Sequence, residues 1–150
     1  MTFEDDMKYT GHTIVFKEHP EYVSLLISIS NCPVKCPDCH TPELQKDIGE
    51  VLTIEKLKDL IVKYYGLVQN VIFFGGDQYP IQIVEMLKLC HDFGLKTTLW
   101  TGREDITPCI KMYVDYLKTG PYIASNGGLE CPSTNQRYIE VKTGKDIVIR

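Results

Sequence analysis

Short apolar segments alternate with segments of helical periodicity from residue 20 onward, and this alternation limits the possible folds more than any other feature of the chain. The spacing of apolar residues predicts strands and helices in turn. The expected strands are 22–30, 71–74, 96–101 and 116–118, and the expected helices are 53–66, 81–93 and 106–113. Because the strands are apolar almost throughout, they favour a mostly parallel sheet covered by helices. Two further segments, 137–141 and 146–149, flank Thr143-Gly144-Lys145 and predict a C-terminal hairpin.

Length and charge exclude several classes of protein. The chain has 150 residues, which is typical of one domain, so residues 1–150 are expected to form a single α/β domain. Its net charge of −4 provides no large basic surface for nucleic acid. The apolar runs are shorter than the ~20 residues that span a bilayer, and residues 1–7 lack a signal-peptide pattern. We therefore expect a cytoplasmic protein that binds neither membrane nor nucleic acid.

Three of the six cysteines, Cys32, Cys36 and Cys39, lie within eight residues in a segment that contains several prolines. Each residue spans at most ~3.5 Å, so the three sulfurs can face one small inorganic group. Three thiolates without a fourth nearby would leave one iron of a [4Fe–4S] cluster without a protein ligand. The sequence therefore predicts a cluster with an open coordination position.

Two alternatives stay open for this cysteine segment. A structural zinc site would require a fourth ligand, and the only obvious local one, His40, is adjacent to Cys39. A closed iron–sulfur site would require one of Cys90, Cys109 or Cys131. Cys90 shares a predicted helix face with apolar residues, so we expect a core residue there, and free thiols are the simplest interpretation of the other two.

Polar or glycine-containing turns follow three of the predicted strands. The cysteine segment follows the first strand, Gly75-Gly76-Asp77 follows the second, and Thr101-Gly102-Arg103 follows the third. The carboxyl ends of parallel strands lie at one edge of a sheet, where α/β proteins bind ligands. We therefore expect these three turns to form one site.

The Cys-x3-Cys-x2-Cys spacing resembles the signature of radical S-adenosylmethionine (SAM) enzymes. Four further segments, taken in order, are similar to motifs of the small activases of anaerobic ribonucleoside-triphosphate reductases, and together they cover most of residues 23–141. These segments are Phe73-Phe74-Gly75-Gly76-Asp77, Leu99-Trp100-Thr101-Gly102, Asp115–Tyr122 and Ser133-Thr134-Asn135-Gln136-Arg137. Four features depart from the family pattern. Residues 16–20 replace an upstream Gly-Pro-Gly and arginine, and Asn31 replaces a glycine before the first cysteine. Asp38 replaces an aromatic residue or glycine before the third cysteine, and Gln78 replaces a proline after Gly-Gly-Asp.

The resemblance implies an incomplete (β/α) barrel, a [4Fe–4S] cluster and bound SAM. It assigns Cys32, Cys36 and Cys39 to the cluster. The segments implied to contact SAM are Asp38-Cys39-His40, Gly75-Gly76-Asp77 and Thr101-Gly102. Arg103 is a further candidate, for the SAM carboxylate.

The resemblance also implies an activity and two protein partners. One electron from the cluster would cleave SAM to methionine and a 5′-deoxyadenosyl radical, which removes hydrogen from a glycine of the large reductase subunit. A flavodoxin or ferredoxin would supply the electron. The alternatives are an activase of another glycyl radical enzyme, such as pyruvate formate-lyase, and an iron–sulfur electron carrier that does not use SAM.

Overall fold

The computed structural model describes residues 5–32, 46–121, 123–129, 131 and 133–148. Seven strands and three helices follow each other along these residues. The strands are β1 (Lys8–Val15), β2 (Ser24–Ile29), β3 (Glu50–Val51), β4 (Asn70–Phe74), β5 (Lys96–Trp100), β6 (Tyr116–Thr119) and β7 (Arg137–Glu140). The helices are α1 (Ile54–Lys63), α2 (Pro80–Asp92) and α3 (Pro108–Lys111).

All seven strands form one sheet in the order β3-β1-β2-β4-β5-β6-β7. The four strands from β2 to β6 in this order run parallel, and β1, β3 and β7 are antiparallel to their neighbours. The predicted α/β class with a parallel centre is therefore confirmed. The sheet is not closed, since β3 and β7 lie at opposite ends of the order. The described residues thus form an open sheet, and the expected incomplete barrel is not confirmed.

Local sequence signals account for the two longer helices. The Thr53 hydroxyl accepts a hydrogen bond from the Lys56 amide at 3.1 Å and so caps the start of α1. Pro80 occupies the first turn of α2, where no backbone N–H is required. Gly94 follows the end of α2 with a φ of 74°, in the left-handed region that glycine adopts readily.

The helices cover one face of the sheet. Side chains at alternate strand positions form the apolar core with α1, α2 and α3. The strand members of this core include Leu25, Ile27, Ile29, Val71, Phe73, Leu99 and Leu117. The opposite face is more polar: Asn70 donates to Ser24 at 3.0 Å and accepts from Thr98 at 2.9 Å.

The connection between β1 and β2 packs against the distant strands β6 and β7. His19 is fully buried, lies parallel to the Tyr22 ring and contacts Tyr116 at a ring distance of 4.2 Å. A hydrogen bond of 2.7 Å joins His19 Nδ1 to the Tyr138 hydroxyl. Within the described part of the chain, His19 Nε2 has no hydrogen-bond partner. Burial lowers the pKa of His19, and the nearby Glu21 carboxylate opposes this by less.

Several details differ from the sequence-based expectations. The two-residue strand β3 was not predicted, and the helix expected at 106–113 is present only as the four residues of α3. β1 was not predicted, because its residues mix Lys8, Gly11 and His12 with few apolar positions and its side chains are only partly buried. The predicted C-terminal hairpin is present as a turn in which Ile139 and Asp146 form a single bridge, with hydrogen bonds from Glu140 to Lys145 and from Ile147 to Tyr138. Every helix in the described ranges is too short or too polar to cross a bilayer.

We expect His19 to make the protein less stable in mild acid. Below about pH 6.5 this histidine binds a proton more readily in the unfolded chain than in the folded chain. The free energy of unfolding therefore falls as pH falls. Between pH 7.5 and 5.5 the wild type should lose up to ~1.4 kcal/mol more than His19→Gln, measured by urea denaturation. His12→Gln, at an exposed histidine, is the control and should behave like the wild type. Equal pH dependence in the wild type and His19→Gln would contradict this assignment.

Candidate functional site

The parallel register places three turns side by side at one edge of the sheet. Ser28 of β2 pairs with Phe74 of β4, which in turn pairs with Trp100 of β5. The residues after these strands are Ser30-Asn31-Cys32, Gly75-Gly76-Asp77 and Thr101-Gly102. Sequence-distant turns therefore meet at the carboxyl ends of the strands, as the pattern predicts.

Only the beginning of the cysteine segment lies among the described residues. Cys32 is partly exposed. Its neighbour Asn31 has a φ of 62° and donates its amide to the Lys46 carbonyl at 2.9 Å, so the two ends of the intervening segment are held together. The other predicted ligands and contacts, Cys36, Asp38, Cys39 and His40, lie outside the described residues.

The Gly75-Gly76 turn requires glycine at both positions for conformational reasons. Their φ angles are 90° and 112°, which L side chains rarely adopt. The Gly75 amide donates to the Trp100 carbonyl at 2.8 Å, which fixes the turn to the end of β5. A Cβ atom on Gly76 would lie 2.9 Å from Cδ1 of Ile83 in α2. Glycine is therefore required at both positions by the backbone conformation, and at Gly76 also by the close approach of α2.

Asp77 is a buried carboxylate with two partners. Its side chain is 6% exposed, and Oδ2 accepts a hydrogen bond from the Thr101 hydroxyl and lies beside Arg103 Nε, both at 3.1 Å. Burial raises the pKa of Asp77, whereas Arg103 and the Thr101 hydrogen bond lower it by smaller amounts. Arg103, a sequence candidate for the SAM carboxylate, is thus engaged with Asp77 in this structure.

The turn after β5 is fixed by its own hydrogen bonds. The Thr101 amide donates to Lys118 at 2.9 Å, and the Thr101 hydroxyl accepts from the Arg103 amide at 3.1 Å. Gly102 lies between these two residues and is partly exposed. The structure therefore brings Thr101 and Gly102 next to Asp77.

One residue of this site was noted in the sequence only as a departure from the family pattern. The Gln78 side chain accepts from the Gly76 amide at 3.0 Å and donates to the carbonyls of Ser30 and Asn31 at 3.0 and 3.1 Å. The sequence carries a weak signal for this role, since a glutamine directly after a glycine turn can bond to the turn itself.

The remaining motifs and cysteines have local structural environments. Gln136 and Asn135 donate to the carbonyls of Gly120 and Pro121, and so join the turn after β6 to the start of β7. Cys90 is buried in the core as predicted, and burial raises the pKa of its thiol. Cys109 is exposed and Cys131 partly exposed. Among the described residues, no group of three or more His, Cys, Asp and Glu side chains is arranged to hold a metal ion.

The described side of the site fits a ligand with an amino-acid group. It offers a turn without side chains at Gly75 and Gly76, a carboxylate that could bind an ammonium group and a thiol at the next turn. A carboxylate has about four acceptor positions, so Asp77 retains capacity for a ligand ammonium beside its two contacts on Oδ2.

Comparisons with known proteins identify a domain family and a similar fold. Residues 22–107 match a family model described as a 4Fe-4S single cluster domain. The crystal structure of QueE from Escherichia coli aligns with a TM-score of 0.51 at 15% sequence identity, over 65% of this chain and 54% of QueE. The chain thus spans about half the length of QueE, and at this identity the likeness concerns the fold. No curated protein sequence matches the chain.

The contact between Gly76 and Ile83 predicts coupled effects of substitution. Gly76→Ala should cost ~1–3 kcal/mol of unfolding free energy, because the new methyl group meets Cδ1 of Ile83 in an unfavourable backbone conformation. Ile83→Val removes that carbon, so the double variant should lose less than the sum of the two single losses. Gly66 provides the control, since it also has a positive φ but an added Cβ there would meet no atom within 4 Å. Gly66→Ala combined with Ile83→Val should be additive, and additivity at Gly76 would contradict the proposed contact.

Proposed function

The chain belongs to the family of 4Fe-4S single cluster domains, and we propose that it is a radical SAM activase. Its substrate in this proposal is the large subunit of an anaerobic ribonucleoside-triphosphate reductase, on which it generates a glycyl radical. The observation that carries the proposal is the meeting of Cys32, the Gly75-Gly76 turn and the Asp77–Thr101 pair at one sheet edge. The fold shared with QueE, a radical SAM enzyme, supports the same class of chemistry.

In this proposal three thiolates, of Cys32, Cys36 and Cys39, hold a [4Fe–4S] cluster whose fourth iron is left for SAM. When bound, such a cluster would supply one electron for cleavage of a carbon–sulfur bond of SAM to methionine and a 5′-deoxyadenosyl radical, and this radical would take hydrogen from the glycine of the partner. The protein's part is to position these groups and to shield them from water and oxygen.

The glycine turn and Asp77 receive the methionyl end of SAM. Gly75 and Gly76 allow the ligand to approach the backbone, since neither has a side chain. Asp77 binds the ammonium group, and its ion pair with Arg103 favours the charged form that this requires. Thr101 orients Asp77 through its hydroxyl, and Gly102 offers backbone beside it. Asp38, Cys39 and His40 contribute the cysteine side of the SAM site.

The partners follow from the same chemistry. The electron comes from a flavodoxin or ferredoxin, because the cluster must reach a very low potential, within a class that extends to roughly −700 mV. The large reductase subunit brings its glycine to the open edge of the sheet. Both encounters take place in the cytoplasm, where thiolates stay reduced.

Anaerobic reconstitution with iron and sulfide tests the radical SAM step. We expect the reduced protein to form 5′-deoxyadenosine from SAM, and Cys32→Ala, Cys36→Ala and Cys39→Ala each to abolish it. Cys109→Ala, at an exposed cysteine, should retain the activity of the wild type. A stable cluster that never cleaves SAM, even with a glycyl radical enzyme present, would contradict the proposal and favour an electron carrier.

Electron paramagnetic resonance tests the identity of the partner. The reduced protein with SAM should produce a glycyl radical doublet on the anaerobic reductase and none on pyruvate formate-lyase. The matched control is a reductase in which the radical-bearing glycine is replaced by alanine. A doublet on pyruvate formate-lyase alone would assign the protein to the other group of activases.

A further inference from the structure

The side chain of Gln78 connects two of the three turns that form the site. Its Oε1 accepts from the Gly76 amide, inside the glycine turn after β4. Its Nε2 donates to the carbonyls of Ser30 and Asn31, the last two residues before Cys32. The primary amide thus uses one acceptor and two donors to join the cysteine segment to the glycine turn.

Asn31, which precedes Cys32 directly, is held from several directions. Its φ of 62° lies in the left-handed region, which is uncommon for residues other than glycine but tolerated by asparagine. Its amide donates to Lys46, its carbonyl accepts from Gln78, and its side-chain amide donates to the Tyr79 hydroxyl at 3.1 Å. Tyr79 is itself 4% exposed and fixed in the core. The backbone that leads into Cys32 is therefore determined by Gln78 and Tyr79.

We infer that Gln78 is a positioning residue that sets the first cysteine of the cluster relative to the glycine turn. This inference rests on the proposed function. Asn31 and Gln78 are the two departures from the family pattern on either side of this contact, and they hydrogen-bond to each other. A glutamine fits this role because a carboxylate would place oxygen against two carbonyl oxygens, and a methionine would make none of the three bonds.

The chain provides a matched control at the opposite end of β4. Gln69 also uses both ends of its amide, since it accepts from the Val23 amide at 3.0 Å and donates to the Leu67 carbonyl at 3.3 Å. Gln69 lies directly before β4, whereas Gln78 lies beyond the opposite, carboxyl end of that strand. Gln69 is therefore separated from Gln78 and Cys32 by the length of β4. Substitutions at Gln69 therefore remove the same kind of bonds without touching the site.

Amide hydrogen exchange in the iron-free protein tests the contact independently of any SAM chemistry. In Gln78→Met the Gly76 amide should exchange roughly five- to tenfold faster than in the wild type, as expected for loss of one hydrogen bond. Gln69→Met should leave Gly76 unchanged and accelerate exchange at Val23. Equal exchange at Gly76 in the wild type and Gln78→Met would overturn the inference.

The reconstituted protein tests whether the contact positions the cluster. In Gln78→Glu, the SAM concentration that half-saturates the change in the reduced cluster's paramagnetic resonance spectrum should rise about tenfold. Iron content should stay at the wild-type level, and Gln69→Glu should match the wild type in both measurements. A half-saturation in Gln78→Glu equal to that of the wild type would overturn the positioning role.

These two experiments separate the failure of this inference from failure of the proposed function. If the wild-type cluster forms but its spectrum does not respond to SAM, the proposed function is wrong. In that case the positioning role of Gln78 is tested by the paramagnetic resonance spectrum of the reduced cluster without SAM. This spectrum should differ between the wild type and Gln78→Glu. It should be the same in the wild type and Gln69→Glu. An unchanged spectrum in Gln78→Glu would overturn the role in that case.

Discussion

Parallel pairing of β2, β4 and β5 is the constraint on which the rest of this structure depends. In a parallel pair both strands end on the same side, so each connection must return along the sheet before the next strand begins. Here α1 and α2 make those returns and bury their apolar faces against the sheet. As a result, residues as distant in sequence as Cys32 and Thr101 follow strands that end at one edge. The relative positions of these turns are therefore set by the backbone hydrogen bonds between the strands.

Among the described residues of this edge, Asp77 and Arg103 form an ion pair in which only the carboxylate is buried. Asp77 is nearly inaccessible to solvent, and an isolated carboxylate in such a place would favour its neutral form. Arg103, whose side chain remains about half exposed, supplies the compensating charge, and Thr101 supplies a hydrogen bond. Both contacts offset part of the cost of burying this carboxylate, while the guanidinium stays in contact with water. In the proposed function, the ammonium and carboxylate groups of SAM would meet this pair of charges.

The sequence predicted the parts of the fold that depend on local patterns. Apolar runs predicted the positions of β2, β4, β5 and β6. The helical spacing of apolar residues, together with Thr53 at the start of α1 and Gly94 after the end of α2, predicted the two longer helices. β1 could not be found this way, because an antiparallel strand with partly exposed faces and an internal Gly11 lacks a strong period-two pattern. The pairing of Arg103 with Asp77 and the bridge formed by Gln78 depend on distances between turns, which no sequence pattern encodes. The meeting of the three turns at one edge was therefore predictable from their order in the sequence, and their mutual contacts only from the structure.

The hydrogen bond between Asn31 and Lys46 has a consequence for how such a protein matures. The chain leaves the sheet and returns to it at two points joined by one backbone bond of 2.9 Å, and Ser30 reinforces this junction through the Ile48 carbonyl. Bringing the two ends of a loop together costs conformational entropy, and here the folding of the sheet already brings them together. Many small metal-binding domains fold only as the metal binds. In this chain the hydrogen bonds of Ser30 and Asn31 join the two ends of residues 33–45, so a cluster would be inserted beside a junction that does not itself depend on bound metal.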